Sequence, residues 1–188
     1  MKIVHLIAGI ALSATPSLAK ETTQLDAHEH GVGQLNIAFD ENKIAMELHA
    51  PGADIVGFEY GAKSDADLAA IDAALQTLSD PLGLFLIPEA ASCIVITAHA
   101  KLESEDSDHD DHDEEGHDDH DEAPGHTEFH AEYLLECANL TEISAITFSY
   151  FEIFPNALEL EVQVISDKGA TAFEIERDVA KLDLRGIF

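Results

Sequence analysis

The sequence predicts an α+β domain. Antiparallel β hairpins pack with one or two helices, and a disordered His/Asp-rich loop is inserted between two strands. Three observations predict it. Apolar residues alternate with polar or small ones over 34–49 and again over 157–164, the period of a half-buried strand. Residues 64–78 carry apolar side chains at helical spacing. The segment 103–125 holds 13 acidic residues and no Lys or Arg, and is too poor in apolar side chains to build a core.

The first residues read as an export signal. Met1-Lys2 is a charged start, Ile3 to Leu12 is an apolar run too short to span a bilayer, and Ser17-Leu18-Ala19 supplies small residues for cleavage. Residues 1–19 are therefore expected to be a signal peptide, and 20–188 a single domain located in the periplasm. No later segment approaches 18 consecutive apolar residues, so no membrane insertion is expected after cleavage. Removing Lys2 leaves 8 basic against 38 acidic residues, a formal net charge of −30. Such a chain is repelled by nucleic acid and anionic lipid and attracts cations.

The elements follow in order. Residues 20–33 are polar and punctuated by glycine. Leu35, Ile37 and Phe39, then Ile44, Met46 and Leu48, form a hairpin around Asp40-Glu41-Asn42. APGA (50–53) ends it, and the glycine-flanked IVGFEYG (55–61) follows. Ser64 opens the helix with Asp67 three residues on, a capping box with Asp in place of Glu. Leu68, Ile71, Leu75 and Leu78 form its apolar stripe, and Asp80-Pro81 stops it. DPLGLFLIP (80–88) is expected to be a buried connection. Strands are predicted at 92–101, 126–137 and 157–164, a short helical turn at 139–143, a turn at Asp167-Lys168-Gly169, and final strands near Phe173 to Ile175 and Leu182 to Leu184.

Cys93 and Cys137 form an even pair in an exported chain, which reads as a disulfide. The cysteines and the insert are both centred on position 115. If 92–101 and 128–138 pair antiparallel about that centre, Cys93 faces Cys137, and the disulfide staples the hairpin that carries the insert.

The chemistry-bearing residues are histidines. Within the insert, HDDHDEE (109–115) is nearly repeated as HDDHDEA (117–123), which spaces His109, His112, His117 and His120 by three, five and three. Neutral imidazole suits Zn2+, Ni2+, Cu2+ and Co2+, and the surrounding carboxylates raise the local cation concentration. A segment that must be ordered to bind is expected to provide weak, multiple sites suited to capture. An EF-hand reading of Asp111, Asp113, Glu115, Gly116 and Glu122 fails, because amphipathic helices do not flank it. His126, Glu128 and His130 alternate at a strand start and project from one face. His28 and His30 share a face if extended. Together the two pairs could furnish a tetrahedral site. His49 is expected to face outward with Glu47, and His99 to be a half-buried structural histidine. The sequence shows no catalytic motif: neither G-x-S-x-G, nor H-E-x-x-H, nor a phosphate-binding glycine loop.

HEHGVGQLNIAF (28–39), LHAPGADIVGFEY (48–60), a cysteine, the His/Asp insert, HTEFHAEYLLEC (126–137) and FEIFP (151–155) occur in that order over nearly the whole expected mature chain. The pattern resembles the zinc-regulated periplasmic zinc-uptake proteins of the ZrgA type. The resemblance implies a role in zinc acquisition in Gram-negative bacteria, beside an ABC-type zinc importer or its solute-binding protein. It makes the leading histidine pair, the insert and the histidines after it the zinc-handling parts. The expected protein is a non-enzymatic periplasmic zinc-binding protein. The alternative is a periplasmic buffer or detoxification protein for zinc, copper or nickel. Other readings are an enzyme with a catalytic metal and an interaction module whose loop is merely acidic.

Overall fold

The computed structural model describes residues 29–104 and 126–187. The expected signal segment, His28 and the insert histidines His109, His112, His117 and His120 lie outside the described residues.

The first hairpin forms as its alternation requires, from β1 (Val32–Asp40) and β2 (Lys43–Pro51). Leu35, Ile37, Ile44, Met46 and Leu48 are buried on one face, while Gln34, Asn36, Glu47 and His49 lie on the other. A single helical turn, α1 (Gly52–Ile55), follows β2. A Cβ at Gly52 would lie 2.4 Å from Thr127 Oγ1 and 2.7 Å from the Phe58 carbonyl oxygen. Only glycine lets the end of β2 pass so close to Thr127.

Helix α2 (Asp65–Leu78) starts on the expected capping box. The Asp67 N–H donates to Ser64 Oγ at 3.2 Å, and the Ser64 N–H donates to the Asp67 carboxylate at 3.0 Å. Its inner face buries Ile71, Ala74 and Leu78. The connection after it resolves into α3 (Pro81–Leu84) and β3 (Phe85–Leu86), with Leu84 and Phe85 buried.

The hairpin around the insert consists of β4 (Cys93–Ser104) and β5 (Thr127–Cys137). Cys93 pairs with Cys137 in register, and their sulfurs are bonded at 2.08 Å. Glu103 and Ser104, expected to begin the insert, instead end β4, and Ser104 pairs with Thr127 at the opposite end of the hairpin. A bulge between Val95 and Thr97 shifts the register by one. Because side chains alternate, that shift moves every later residue of β4 to the other face. His99 is therefore not half-buried on the Cys93 side. It stands opposite Glu132 and is exposed.

The rest of the chain contributes β6 (Ala145–Phe148), α4 (Tyr150–Ile153), β7 (Glu159–Ser166), β8 (Gly169–Glu176) and β9 (Lys181–Asp183). A six-stranded sheet has the order β4-β5-β2-β1-β7-β8, and a three-stranded sheet the order β3-β6-β9. Every pairing is antiparallel except β1 with β7, which is parallel and joins the two halves of the large sheet.

Helix α2 and the small sheet share one core with the inner face of the large sheet. Phe85 meets Phe148 edge-on at 5.6 Å, and Tyr150 lies 5.2 Å from Phe154. Burying each such ring contributes about 1.5–3 kcal/mol. The Tyr133 hydroxyl donates to the Leu78 carbonyl oxygen at 2.8 Å and ties β5 to the end of α2. Arg177 donates to the carbonyl oxygens of Phe151, Phe154, Pro155 and Ala157, which gathers the carbonyls around the end of α4. Among the described residues, no helix is long and apolar enough to cross a membrane. The outer face of β4, β5 and β2 carries His99, Glu132, Glu47, His130 and His49.

Candidate metal centre

Strand register builds the first cluster. His49 on β2 stands directly opposite His130 on β5, and Glu47 opposite Glu132 two pairs along, on the same face. Opposed residues on one face bring their Cβ atoms within about 5.5 Å. The imidazoles accordingly stack, with centroids 4.3 Å apart and planes at 23°. Glu47 Oε1 lies 3.1 Å from His130 Nε2 and 3.4 Å from His49 Nε2. One ligand atom from each of the three residues falls within 4.8 Å of the other two. Zinc bonds of ordinary length directed to tetrahedral corners give ligand–ligand edges of about 3.3 Å, so Glu47 already sits at that spacing from two nitrogens.

The outer nitrogens also have partners. His49 Nδ1 lies 3.3 Å from Glu128 Oε2, and His130 Nδ1 lies 3.9 Å from Glu103 Oε1. A carboxylate behind the distal nitrogen sets the tautomer and aims the other nitrogen at an ion. The arrangement gives Glu128 an orienting position behind His49. Burial pushes the Glu47 carboxyl up, but the His130 and His49 contacts prevail and hold it below its ordinary value. The Glu128 hydrogen bond raises the His49 pKa, against the opposing effect of burial. Glu132 Oε1, 3.8 Å from His130 Nε2, adds a further oxygen at the edge of the cluster.

A second cluster lies where loops meet one end of the interior strands β1, β2 and β5. Gly31, with φ of 90°, turns the chain just before β1 and donates its N–H to Asp54 Oδ1 at 2.8 Å. That turn presents His30, whose Nε2 lies 3.0 Å from Glu59 Oε2. The same oxygen lies 2.8 Å from Nδ1 of His126, just before β5. Burial pushes the Glu59 carboxyl up, yet the His126 and His30 hydrogen bonds hold it below its ordinary value.

Both clusters fall inside the span matched by the model of the ZrgA family zinc uptake protein, residues 27–184. The chain belongs to this family. No curated protein gives a significant match. The ZrgA family is a family of zinc uptake proteins, not of enzymes, and the His/Glu group on the open face is chemically suited to a zinc ion.

In this ZrgA-family chain, the histidines expected to converge divide between two places. His30 and His126 meet at Glu59, whereas His130 meets His49 and Glu47. His49 pairs with Gln34 on β1, not with the segment before Gly31. Sequence reasoning placed His49 and Glu47 on the outer face, but it did not join them to His130. Strand alternation cannot say which strand lies next to β2. Glu59 carried no signal at all, because a lone glutamate in a glycine-flanked loop is ordinarily solvated.

Proposed function

We propose that this ZrgA-family chain is a periplasmic zinc-binding protein. It captures Zn2+ with the His/Asp-rich insert, holds it at Glu47, His49 and His130, and supplies an ABC-type zinc import system without chemically transforming the ion. The observation that carries the reading is the position of Glu47 Oε1, 3.1 and 3.4 Å from two imidazole nitrogens on an acidic sheet face. Imidazole plus carboxylate is a donor set zinc favours, and Glu128 behind the distal nitrogen of His49 supplies an orienting partner. The Cys93–Cys137 bond supports an oxidising compartment. The charged, apolar and small-residue order of 1–19 supports export.

Calorimetric zinc titration of the full chain tests the reading. The wild type is expected to show one or more tight sites above a background of weaker ones. His49→Ala with His130→Ala is expected to abolish a tight site, and removal of residues 105–125 to abolish the weaker sites first. A number of tight equivalents left unchanged by His49→Ala/His130→Ala sinks the assignment. The same donors accept Cu2+ and Ni2+, so metal competition decides between uptake of zinc and a broader buffering role.

A further inference from the structure

Three segments far apart in the chain bring the second cluster together. His30 precedes β1, Glu59 follows α1 and His126 precedes β5; 29 residues separate His30 from Glu59, and 67 separate Glu59 from His126. Both imidazoles converge on one oxygen, Glu59 Oε2, at 3.0 and 2.8 Å. A structural stitch would account for those two contacts, but it leaves three features unexplained.

The first is the distribution of exposure. The His30 and His126 side chains are 66% and 51% exposed, while the Glu59 side chain they share is 13% exposed. Two solvent-facing imidazoles over a nearly buried carboxylate make a site that an ion can reach from water. The second is Glu59 Oε1, which is buried and has no hydrogen-bond partner. Buried carboxylate oxygens are ordinarily satisfied, because leaving one bare forfeits its solvation. The third is Asp54, 2% exposed, whose Oδ1 accepts the Gly31 N–H while its Oδ2 is buried without a hydrogen-bond partner. Asp54 lies within the electrostatic reach of both His30 and Glu59. A buried acid and a nearly buried one within electrostatic reach, each with a buried oxygen lacking a hydrogen-bond partner, oppose one another unless positive charge stands near them.

This cluster is separate from Glu47, His49 and His130. His126 and His130 are four residues apart, a span of about 13 Å along an extended strand. In this structure their imidazoles turn to different carboxylates, His126 to Glu59 and His130 to Glu47.

We propose that His30, Glu59 and His126 form a second ordered site for a borderline divalent metal ion, placed where the His/Asp-rich insert rejoins the fold. The inference rests on the zinc reading above for the identity of the ion.

The test uses the full chain with His109, His112, His117 and His120 replaced by Asn, titrated with zinc alone. Two tight equivalents are expected. Glu59→Gln, and independently His30→Asn with His126→Asn, should each lower the count to one, while His49→Ala/His130→Ala removes the other equivalent. If the parent binds a single equivalent that His49→Ala/His130→Ala abolishes, the second site is overturned and the open-face site stands. If Glu59→Gln removes an equivalent but His49→Ala/His130→Ala removes none, the second site stands and the open-face reading falls. Histidine-ring NMR of the wild-type chain checks the site without any substitution. The His30 and His126 ring resonances should shift on adding zinc, and unshifted rings at two equivalents overturn the proposal.

Discussion

His49 and His130 meet because two neighbouring strands hold them in register, whereas His30 and His126 meet because three loops converge on Glu59. The first arrangement inherits the rigidity of a six-stranded sheet, and its ligand atoms lie on side chains that stack against each other. The second depends on a left-handed turn at Gly31, the Asp54 contact and the close approach of Gly52 to Thr127. The difference teaches that one fold can hold a His/Glu cluster preorganised by strand register and another assembled from loops. Perturbations of the sheet and of the loops should therefore separate them.

The largest expected effect tests the scaffold that both clusters share. Replacing Cys93 and Cys137 with Ser removes a cross-link between residues 44 apart in sequence. The chain-entropy relation puts the loss near 4 kcal/mol of stability. Urea denaturation of the metal-free protein should show this as a lower midpoint with a similar slope. Both clusters lie beyond the cysteines along the sheet, so zinc stoichiometry under folding conditions should not change. A changed stoichiometry would mean that the staple sets the register at His130.

Gly52→Ala should separate the two clusters. A Cβ 2.4 Å from Thr127 Oγ1 forces the start of β5 outward, at a cost of about 1–3 kcal/mol. His126 is adjacent to Thr127, so His30–Glu59–His126 should loosen while His49 and His130 keep their pairing. Equal loss at both clusters, read by histidine-ring NMR, would break the comparison.

Glu128→Gln sharpens it from the other side. Without the carboxylate behind Nδ1, zinc affinity at the open face should fall by about tenfold, as for other outer-shell partners. In the metal-free protein the His49 pKa should drop towards its ordinary value, because the Glu128 hydrogen bond is the largest cause of its rise. An unmoved His49 titration curve would remove Glu128 from the orienting role.

The smallest effect is the pH dependence of metal-free stability. The raised His49 pKa gives stability that is fully present below 6.5 and lost as pH rises through the higher folded value. The lowered Glu47 pKa gives stability that is present above 4.5 and lost as pH falls through the lower folded value. From this pair, a shallow stability maximum should lie between about pH 4.5 and 6.5, and His49→Ala should flatten its alkaline side. Thermal melts across that range check the shape, and a maximum unchanged in His49→Ala counts against the coupling.

Much of the fold was legible because its signals are local. Ser64 and Asp67 announced the start of α2, alternation gave β1, β2 and β7, and the symmetry of Cys93 and Cys137 about the insert gave their direct pairing. His99 was misplaced because a single extra residue in β4 inverts alternation, and nothing between Val95 and Thr97 marks a bulge in the sequence. The parallel pairing of β1 with β7 was likewise silent, since alternation does not reveal the direction or identity of a partner strand.

The sequence by itself determined the inventory: a strongly acidic chain, an insert rich in imidazole and carboxylate, histidines alternating at the start of a strand, and glycines where the backbone must turn. Only the tertiary structure decided which donors share an ion-sized space. His49 and Glu128 are 79 residues apart, and His126 and Glu59 are 67 apart. Spacing and periodicity describe neighbours along the chain. A metal site instead needs donors a few ångströms apart in space, and here strand order, register and one glycine contact supplied that proximity.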